Sequence, residues 1–254
     1  MSHQIIGYYS FRREKLLEKF DQTLALLRDT LVRRYGVEGA NALLRESRQE
    51  YENLIPEIPY IRGIRARMFN IFLLITAQEL AVFKAMKKGG KTPAQAWEIC
   101  HEALRLSLAK IPLWKRWLLR QLMFSSLLKK IIARRASQKQ KVSFGDFKVE
   151  YLVGEGDNFE IGVNYLQCGN YRFAMEHGGE EFAPYICLSD IALSDALGWG
   201  LLRTQTLADG CSHCDFRFKK GAATQISSKT PEVQAAIENT RNSEADLAAM
   251  SSNT

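Results

Sequence analysis

The stretch FGDFKVEYLVGEGDNFEIGVNYL, residues 144–166, decides the fold class of this chain. Its two ends carry alternating or β-branched apolar residues, from Phe144 to Val153 and from Phe159 to Leu166. The sequence between them, residues 154–158, is rich in glycine and ends in Asp-Asn, which is typical of a turn that joins two strands. We therefore predict two paired strands.

The chain before about residue 137 has helical periodicity instead. Apolar residues such as Phe20, Leu24 and Leu27 recur at spacings of four and three, which marks one face of a helix. Thr92-Pro93 predicts a helix start, with Thr92 as N-cap and Pro93 at the first helical position. The predicted helices cover approximately residues 11–35, 37–51, 65–87, 93–110 and 113–135.

Helical and strand patterns mix after the first strand pair. Helical spacing returns between Glu180 and Leu197, and further strands are predicted from Leu201 to Leu207 and from Cys214 to Phe218. The sequence therefore predicts an α+β protein in which an N-terminal helical domain (1–140) precedes a small cysteine-rich α+β domain (141–221). Residues 222–254 are poor in large apolar side chains and are expected to form a polar, flexible tail, with a short surface helix over 231–240 as the alternative.

Composition and the N-terminus restrict the class of protein. With 254 residues, 46% of them hydrophobic and 25% charged, the chain can bury a substantial core. The N-terminus lacks the apolar stretch of a secretory signal, so we expect a cytoplasmic protein. Met68 to Met86 is the best transmembrane candidate, but Gln78 and Glu79 interrupt it, so a buried core helix and no transmembrane segment are predicted.

The net charge of +7 is concentrated on one predicted helical stretch. Lysines and arginines between Lys115 and Lys141 alternate there with leucine and isoleucine, as in an amphipathic helix with a basic face. We interpret this face as solvated and expect no nucleic-acid partner; docking on an anionic surface is the alternative. An exposed apolar face on one of the helices could serve a homodimer.

The five cysteines are the main chemical feature. An odd number without a secretory signal favours thiols or ligands over disulfides. A zinc site usually needs four ligands, so Cys168 and Cys187 would have to meet the closely spaced pair Cys211 and Cys214. The strand pattern after Cys214 does not favour a thioredoxin-like redox pair. Buried, inert thiols are the remaining alternative.

Other polar residues stand near these cysteines. Cys187 and Asp190 are three positions apart and would share one face of a helix, so both could point into one pocket. Arg203 and Thr204 could bind the carboxylate of a substrate, Arg203 through its planar guanidinium. His177, beside Glu176, is a further candidate for substrate binding, although such a loop pair is more often a surface pair.

Several short motifs resemble one known family. They are Cys168, PYICLSD (184–190), RTQTLADG (203–210) and CDFRF (214–218), with YENLIPEIP (51–59) and GGKTP (89–93) in the helical half. Together they resemble the L-2-amino-thiazoline-4-carboxylic acid hydrolase family over roughly residues 51–219. The resemblance implies an enzyme that opens a small cyclic amidine, of the thiazoline type, by hydrolysis of a C–N or C–S bond.

The resemblance also implies roles for individual residues. Cys168, Cys187 and Cys214 are expected to be nucleophiles or metal ligands, with zinc as the metal they could take, and the cofactor is left open. Asp190 or Asp215 would act as general acid or base. The CDFRF ending also resembles the small domain related to vinyl reductases. A non-enzymatic module that binds a metal or a small ligand is therefore the alternative function.

Overall fold

The computed structural model describes residues 4–137, 141–154 and 158–252, without the side chains of residues 65 and 243–252. The helices are α1 (Arg13–Ala25), α2 (Arg28–Leu54), α3 (Arg67–Lys88), α4 (Pro93–Ala109), α5 (Leu113–Met123), α6 (Ser126–Ser137), α7 (Gly169–Glu176), α8 (Ala183–Ile186), α9 (Ser189–Leu197) and α10 (Pro231–Ser252). The strands are β1 (Gln4–Ile5), β2 (Tyr60–Ile61), β3 (Lys141–Phe144), β4 (Phe147–Val153), β5 (Ile161–Gln167), β6 (Leu201–Arg203), β7 (Cys214–Phe218) and β8 (Gln225–Ile226). This order confirms the predicted α+β class.

The start of α4 forms as predicted. Thr92 Oγ1 accepts a hydrogen bond from the backbone N–H of Gln95 at 3.2 Å, and the Gln95 side chain accepts one from the N–H of Thr92 at 3.0 Å. This capping box satisfies two N–H groups that would otherwise lack partners at the helix end. Local sequence alone therefore determines where α4 begins.

Other helix boundaries differ from the prediction. The first predicted helix is split, because α1 ends at Ala25 and α2 begins at Arg28. The predicted break at Gly36 is present, because this residue has non-helical angles (φ of 71°, ψ of 173°) and divides α2 into two helical parts at a kink. The predicted basic helix is also two helices, α5 and α6, which part at Phe124 and Ser125.

Six strands form one sheet in the order β3-β4-β5-β7-β6-β8. Neighbours are antiparallel except for β6 and β8, which are parallel. In the central pair, Tyr165 lies opposite Cys214 and Ile161 opposite Phe218. Strand β6 ends at Arg203, earlier than the predicted end at Leu207, because residues 207–209 form a 3-10 turn.

The C-terminal segment differs from the flexible tail expected there. Residues 225–226 pair with β6, and α10 runs from Pro231 to Ser252. Val233, Ala236 and Ile237 of this helix are buried in the main core. Few apolar residues are needed for such docking when their spacing of three and four places them on one face.

Residues on both sides of the predicted boundary at 140 share one core. Phe83 of α3 stacks on Phe182 with ring centroids 4.7 Å apart, and Phe69 lies 4.6 Å from Phe147 of β4. Among the helices in the described ranges, α3 alone is long and apolar enough to cross a membrane. However, 61% of its most apolar 18-residue stretch is buried inside the fold. Helix α3 is thus the central core helix that the sequence predicts.

Candidate active site

A cavity of about 210 Å³ lies between α3, α9 and the sheet. Alternate residues of the central strands face it, among them Tyr165, Cys214 and Phe216. Its volume is below the range of roughly 300–1,000 Å³ that is usual for drug-sized ligands. A small molecule is therefore the largest ligand that fits without rearrangement.

Three of the five cysteines line this cavity from different elements. Cys168 precedes α7, Cys187 lies between α8 and α9, and Cys214 begins β7. The turn of the chain between β5 and α7 and the register of β5 with β7 bring Cys168 towards Cys214. Cys100 is buried in the helical half and Cys211 lies in the loop before β7, so neither lines the cavity.

All three thiols of the cavity are held in their protonated form. Burial and the neighbouring Cys187 raise the pKa of the Cys168 thiol to about 12, although the N–H groups of Tyr171 and Asn170 favour its thiolate. Burial likewise raises the pKa of Cys214 to about 12 and raises the pKa of Cys187. A thiolate at any of these positions would need a base to remove the proton.

Asp190 and Arg203 form an ion pair at the cavity wall. Arg203 Nη1 donates to Asp190 Oδ2 and also to the carbonyl oxygen of Cys187, the latter at 2.7 Å. The Arg203 side chain is only 2% exposed, whereas that of Asp190 is 28% exposed. Burial raises the pKa of Asp190 to about 6, and the positive charge of Arg203 limits the rise.

Glu79 is a second carboxyl group of the cavity. It projects from the middle of α3, and Ser189 Oγ donates a hydrogen bond to its Oε1 at 2.5 Å. Burial raises the pKa of Glu79 to about 8; the Ser189 bond opposes this rise and the nearby Asp190 adds to it. Glu79 therefore keeps its proton near neutral pH, where Asp190 is largely ionised.

Glu79 is not among the site residues predicted from the sequence, where it only interrupts an apolar stretch. The signal was nevertheless present, because a lone acidic residue in the middle of a helix that must be buried needs a partner or a function.

Four buried polar atoms on the cavity wall have no hydrogen-bond partner among the described residues. Two are donors, Arg203 Nε and Trp199 Nε1, and two belong to side-chain oxygens, Asn170 Oδ1 and Glu79 Oε2. Such groups each cost about 1–3 kcal/mol when they stay unsatisfied. Their concentration at one cavity indicates a binding site whose ligand supplies the missing partners.

Three predicted site residues lie outside the cavity. Asp215 points to the opposite face of β7, where it accepts hydrogen bonds from Thr204 Oγ1 at 2.7 Å and from the N–H of Gln205 at 2.6 Å. Thr204 is therefore a partner of Asp215 and stands away from the cavity. His177 ends α7, where its Nδ1 lies 2.8 Å from the carbonyl oxygen of Phe173.

The described residues contain no group of three or more His, Cys, Asp or Glu side chains arranged to hold a metal ion. Cys168, Cys187 and Cys214 face one cavity without forming such a group. Zinc binding by these cysteines stays a prediction.

A small cavity with two carboxyl groups, a buried arginine and several unpaired polar atoms is an arrangement typical of enzymes that act on small polar molecules. The family model of L-2-amino-thiazoline-4-carboxylic acid hydrolase matches residues 68–218, and this chain belongs to that family. The matched region contains every cavity residue named above. No curated protein and no solved structure matches the chain.

Proposed function

We propose that this protein hydrolyses a small cyclic amidine of the thiazoline type, one that carries a carboxylate, in the cavity between α3, α9 and the sheet. The observation that carries the proposal is the set of four unpartnered polar atoms on one cavity wall, inside the segment that matches the hydrolase family. Two donors and two oxygen atoms complement a ligand that has both a carboxylate and an amidine.

The donors fit the carboxylate end of such a substrate. Arg203 Nε and the indole Nε1 of Trp199 are both buried at the cavity. Asp190 already neutralises most of the charge of Arg203, so the guanidinium acts here mainly as an oriented hydrogen-bond donor. Asn170 Oδ1 would accept a hydrogen bond from the amidine nitrogen.

The two carboxyl groups supply a base and an acid. Asp190, with a pKa of about 6, removes a proton from water, and the oxygen adds to the amidine carbon between nitrogen and sulfur. Glu79, with a pKa of about 8, donates its proton to the ring nitrogen as the carbon–nitrogen bond breaks. The hydroxyl proton of the adduct passes to the same nitrogen as the hydroxyl becomes a carbonyl. The ring thus opens to a single product that carries a free amine and a thiocarbamate, and one water molecule is consumed. The protons that Asp190 gains and Glu79 loses are returned through solvent.

Attack by Cys168 is the second candidate route. The N–H groups of Asn170 and Tyr171 favour its thiolate, as at other helix N-termini. The raised pKa of all three thiols nevertheless favours water as the nucleophile. A covalent adduct on Cys168, seen by mass spectrometry of the protein quenched during turnover, would favour the thiol route.

Incubation of the purified protein with 2-amino-thiazoline-4-carboxylate tests the proposal. We expect a product heavier by one water, and a loss of at least about 100-fold in kcat for Asp190→Asn. Asp195→Asn is the matched control, because Asp195 lies on the same helix but pairs with Arg241 outside the cavity. Binding of the compound without turnover would contradict the proposal and favour the alternative of a non-enzymatic ligand-binding module.

A further inference from the structure

Helix α5 exposes its apolar side. Its outward residues are Leu113, Trp114, Trp117, Leu118 and Leu122. The two tryptophans are 63% and 55% exposed, although large aromatic residues are normally at least half covered in a water-soluble fold. This exposure needs a reason, since a surface helix usually turns its apolar side to the core.

The arginines of α5 face the protein instead. Arg116 donates from Nε to the carbonyl oxygen of Ile111 at 2.8 Å and from Nη2 to that of Ala109 at 2.7 Å. Arg120 lies against Gly198, where a Cβ would stand 3.0 Å from its Nη1. Two of the cations of the helix, Arg116 and Arg120, therefore face inward, whereas Lys115 is exposed beside the outward-facing Trp114. The apolar side of α5 is thus not the side that meets the core, unlike that of a typical surface helix.

Helix α6 extends this surface. Leu127, which is 69% exposed, and Ile131 point outward beside Lys130 and Arg134. Within the described part of the chain, no acidic side chain pairs with Lys130 or Arg134. Met123 of α5 and Ile132 of α6 pack on the same small core cluster, so the outer sides of both helices point away from it.

The charge around these helices has one sign. Residues 103–145 contain eleven lysines and arginines and no acidic residue. The rest of the chain carries 24 basic and 28 acidic residues, so the net positive charge of the molecule arises from this segment alone. A partner for this surface must combine an apolar layer with negative charge.

We propose that the α5–α6 face, defined by Leu113, Trp114, Trp117, Leu118, Leu122, Leu127, Lys130, Ile131 and Arg134, docks on the surface of an anionic phospholipid bilayer. Exposed tryptophan and leucine with flanking lysine and arginine are the composition of helices that lie in a membrane interface. Helix α3 is buried in the fold, so the attachment is peripheral. A second copy of the chain would bring like charge to like charge. RNA bases could stack on the tryptophans, but RNA would leave the exposed leucine and isoleucine side chains of this face without an apolar partner.

Sedimentation of the full chain with vesicles tests the proposal. We expect binding to vesicles of phosphatidylcholine with phosphatidylglycerol, a blue shift of tryptophan fluorescence, and at least tenfold weaker binding to phosphatidylcholine alone. Trp114→Ser/Trp117→Ser and Lys130→Glu/Arg134→Glu should each weaken binding by about tenfold or more. Phe11→Ser is the matched control, because Phe11 is 96% exposed outside this face and should leave binding unchanged.

Three results would overturn the proposal. Equal binding to neutral and anionic vesicles would show that charge does not contribute to binding. Full binding by the Trp114→Ser/Trp117→Ser variant would show that the apolar side chains of the face do not contribute. Self-association of the wild-type chain without lipid, lost in that variant, would show that the face serves a dimer. Unchanged thermal unfolding of the variants shows that they remain folded.

Discussion

Ser189 and Glu79 are 110 positions apart in the chain, yet the hydroxyl of Ser189 donates a hydrogen bond to the Glu79 carboxyl at 2.5 Å. Ser189 is followed directly by Asp190, so this bond ties the central core helix to the helix that carries the second carboxyl group. The two acids thus face one cavity in different environments, one without a counter-charge and one paired with Arg203. This difference separates their pKa values.

The first prediction concerns the pH dependence of turnover. Asp190 must be ionised, which holds above its pKa of about 6, and Glu79 must be protonated, which holds below its pKa of about 8. We therefore expect kcat/KM to follow a bell with limbs near these values. In Glu79→Gln we expect the upper limb to disappear and kcat to fall by about 100-fold or more. An unchanged upper limb in Glu79→Gln would show that another group is the acid.

The second prediction concerns stability. The folded protein keeps the Glu79 proton up to a pKa of about 8, whereas the unfolded chain releases it near the ordinary value of 4.5. Between these values the folded state binds more protons, so Glu79 makes the protein less stable as pH rises. Glu79→Gln removes this effect. The free energy of unfolding of Glu79→Gln minus that of wild type should therefore increase from pH 5 to pH 8, by at most about 1.4 kcal/mol per pH unit.

Urea unfolding at several pH values measures this difference. Glu98→Gln, at an exposed position of α4, provides the control and should show no such trend. A difference between Glu79→Gln and wild type that stays constant with pH would mean that Glu79 ionises normally in the fold.

The third prediction concerns the buried ion pair. Asp190→Asn leaves the nearly inaccessible guanidinium of Arg203 without its counter-charge, so we expect a loss of about 3 kcal/mol in the free energy of unfolding. Asp195→Asn breaks a more exposed pair with Arg241 and should cost less than about 1 kcal/mol. Equal losses in the two variants, measured by urea unfolding, would mean that the Asp190–Arg203 pair is as weak as a surface pair.

The fourth prediction concerns the indole of Trp199. Trp199→Phe removes a buried donor that has no partner in the described protein, so the free energy of unfolding should change little. If the indole binds the substrate carboxylate, KM should rise by about tenfold or more, since hydrogen bonds to charged groups contribute about 1.5–3 kcal/mol. The decarboxylated substrate analogue should show no such difference between variant and wild type.

The fifth prediction concerns the thiols. Burial raises the pKa of the thiols of Cys168, Cys187 and Cys214 and holds them protonated, whereas Cys211 is partly exposed in the loop before β7, outside the cavity. Brief treatment of the native protein with iodoacetamide at pH 7 should therefore label Cys211 first, as read by peptide mass spectrometry. Faster labelling of Cys168 would indicate an activated thiolate and favour the covalent route.

How much of the fold the sequence predicts depends on the range of the interactions that form each element. The strand pair around residues 154–158 and the start of α4 at Thr92 follow from local pattern and capping, and both were predicted. The helix α7 was not predicted, because its eight residues carry only a short periodic pattern. The docking of α10 on the main core was also missed, since it depends on a surface built by other elements.

In the site, too, the sequence predicts only what depends on neighbouring residues. Cys187 and Asp190 could be paired from their spacing, and Arg203 could be nominated from its charge, because these are local properties. Asp215 alternates with Cys214 along β7 and so faces the other side of the sheet, as the predicted strand from Cys214 to Phe218 itself requires.

The sequence by itself determined the α+β class, the family and the concentration of thiols in the second half of the chain. It could do so because helix and strand periodicity, capping and short motifs are properties of neighbouring residues. Only the tertiary structure decided that Glu79 joins the site and that the tryptophans of α5 face outward. Both depend on which side of a helix meets another element, and contacts between residues far apart in the chain, such as Ser189 with Glu79 and Gly198 with Arg120, fix that choice.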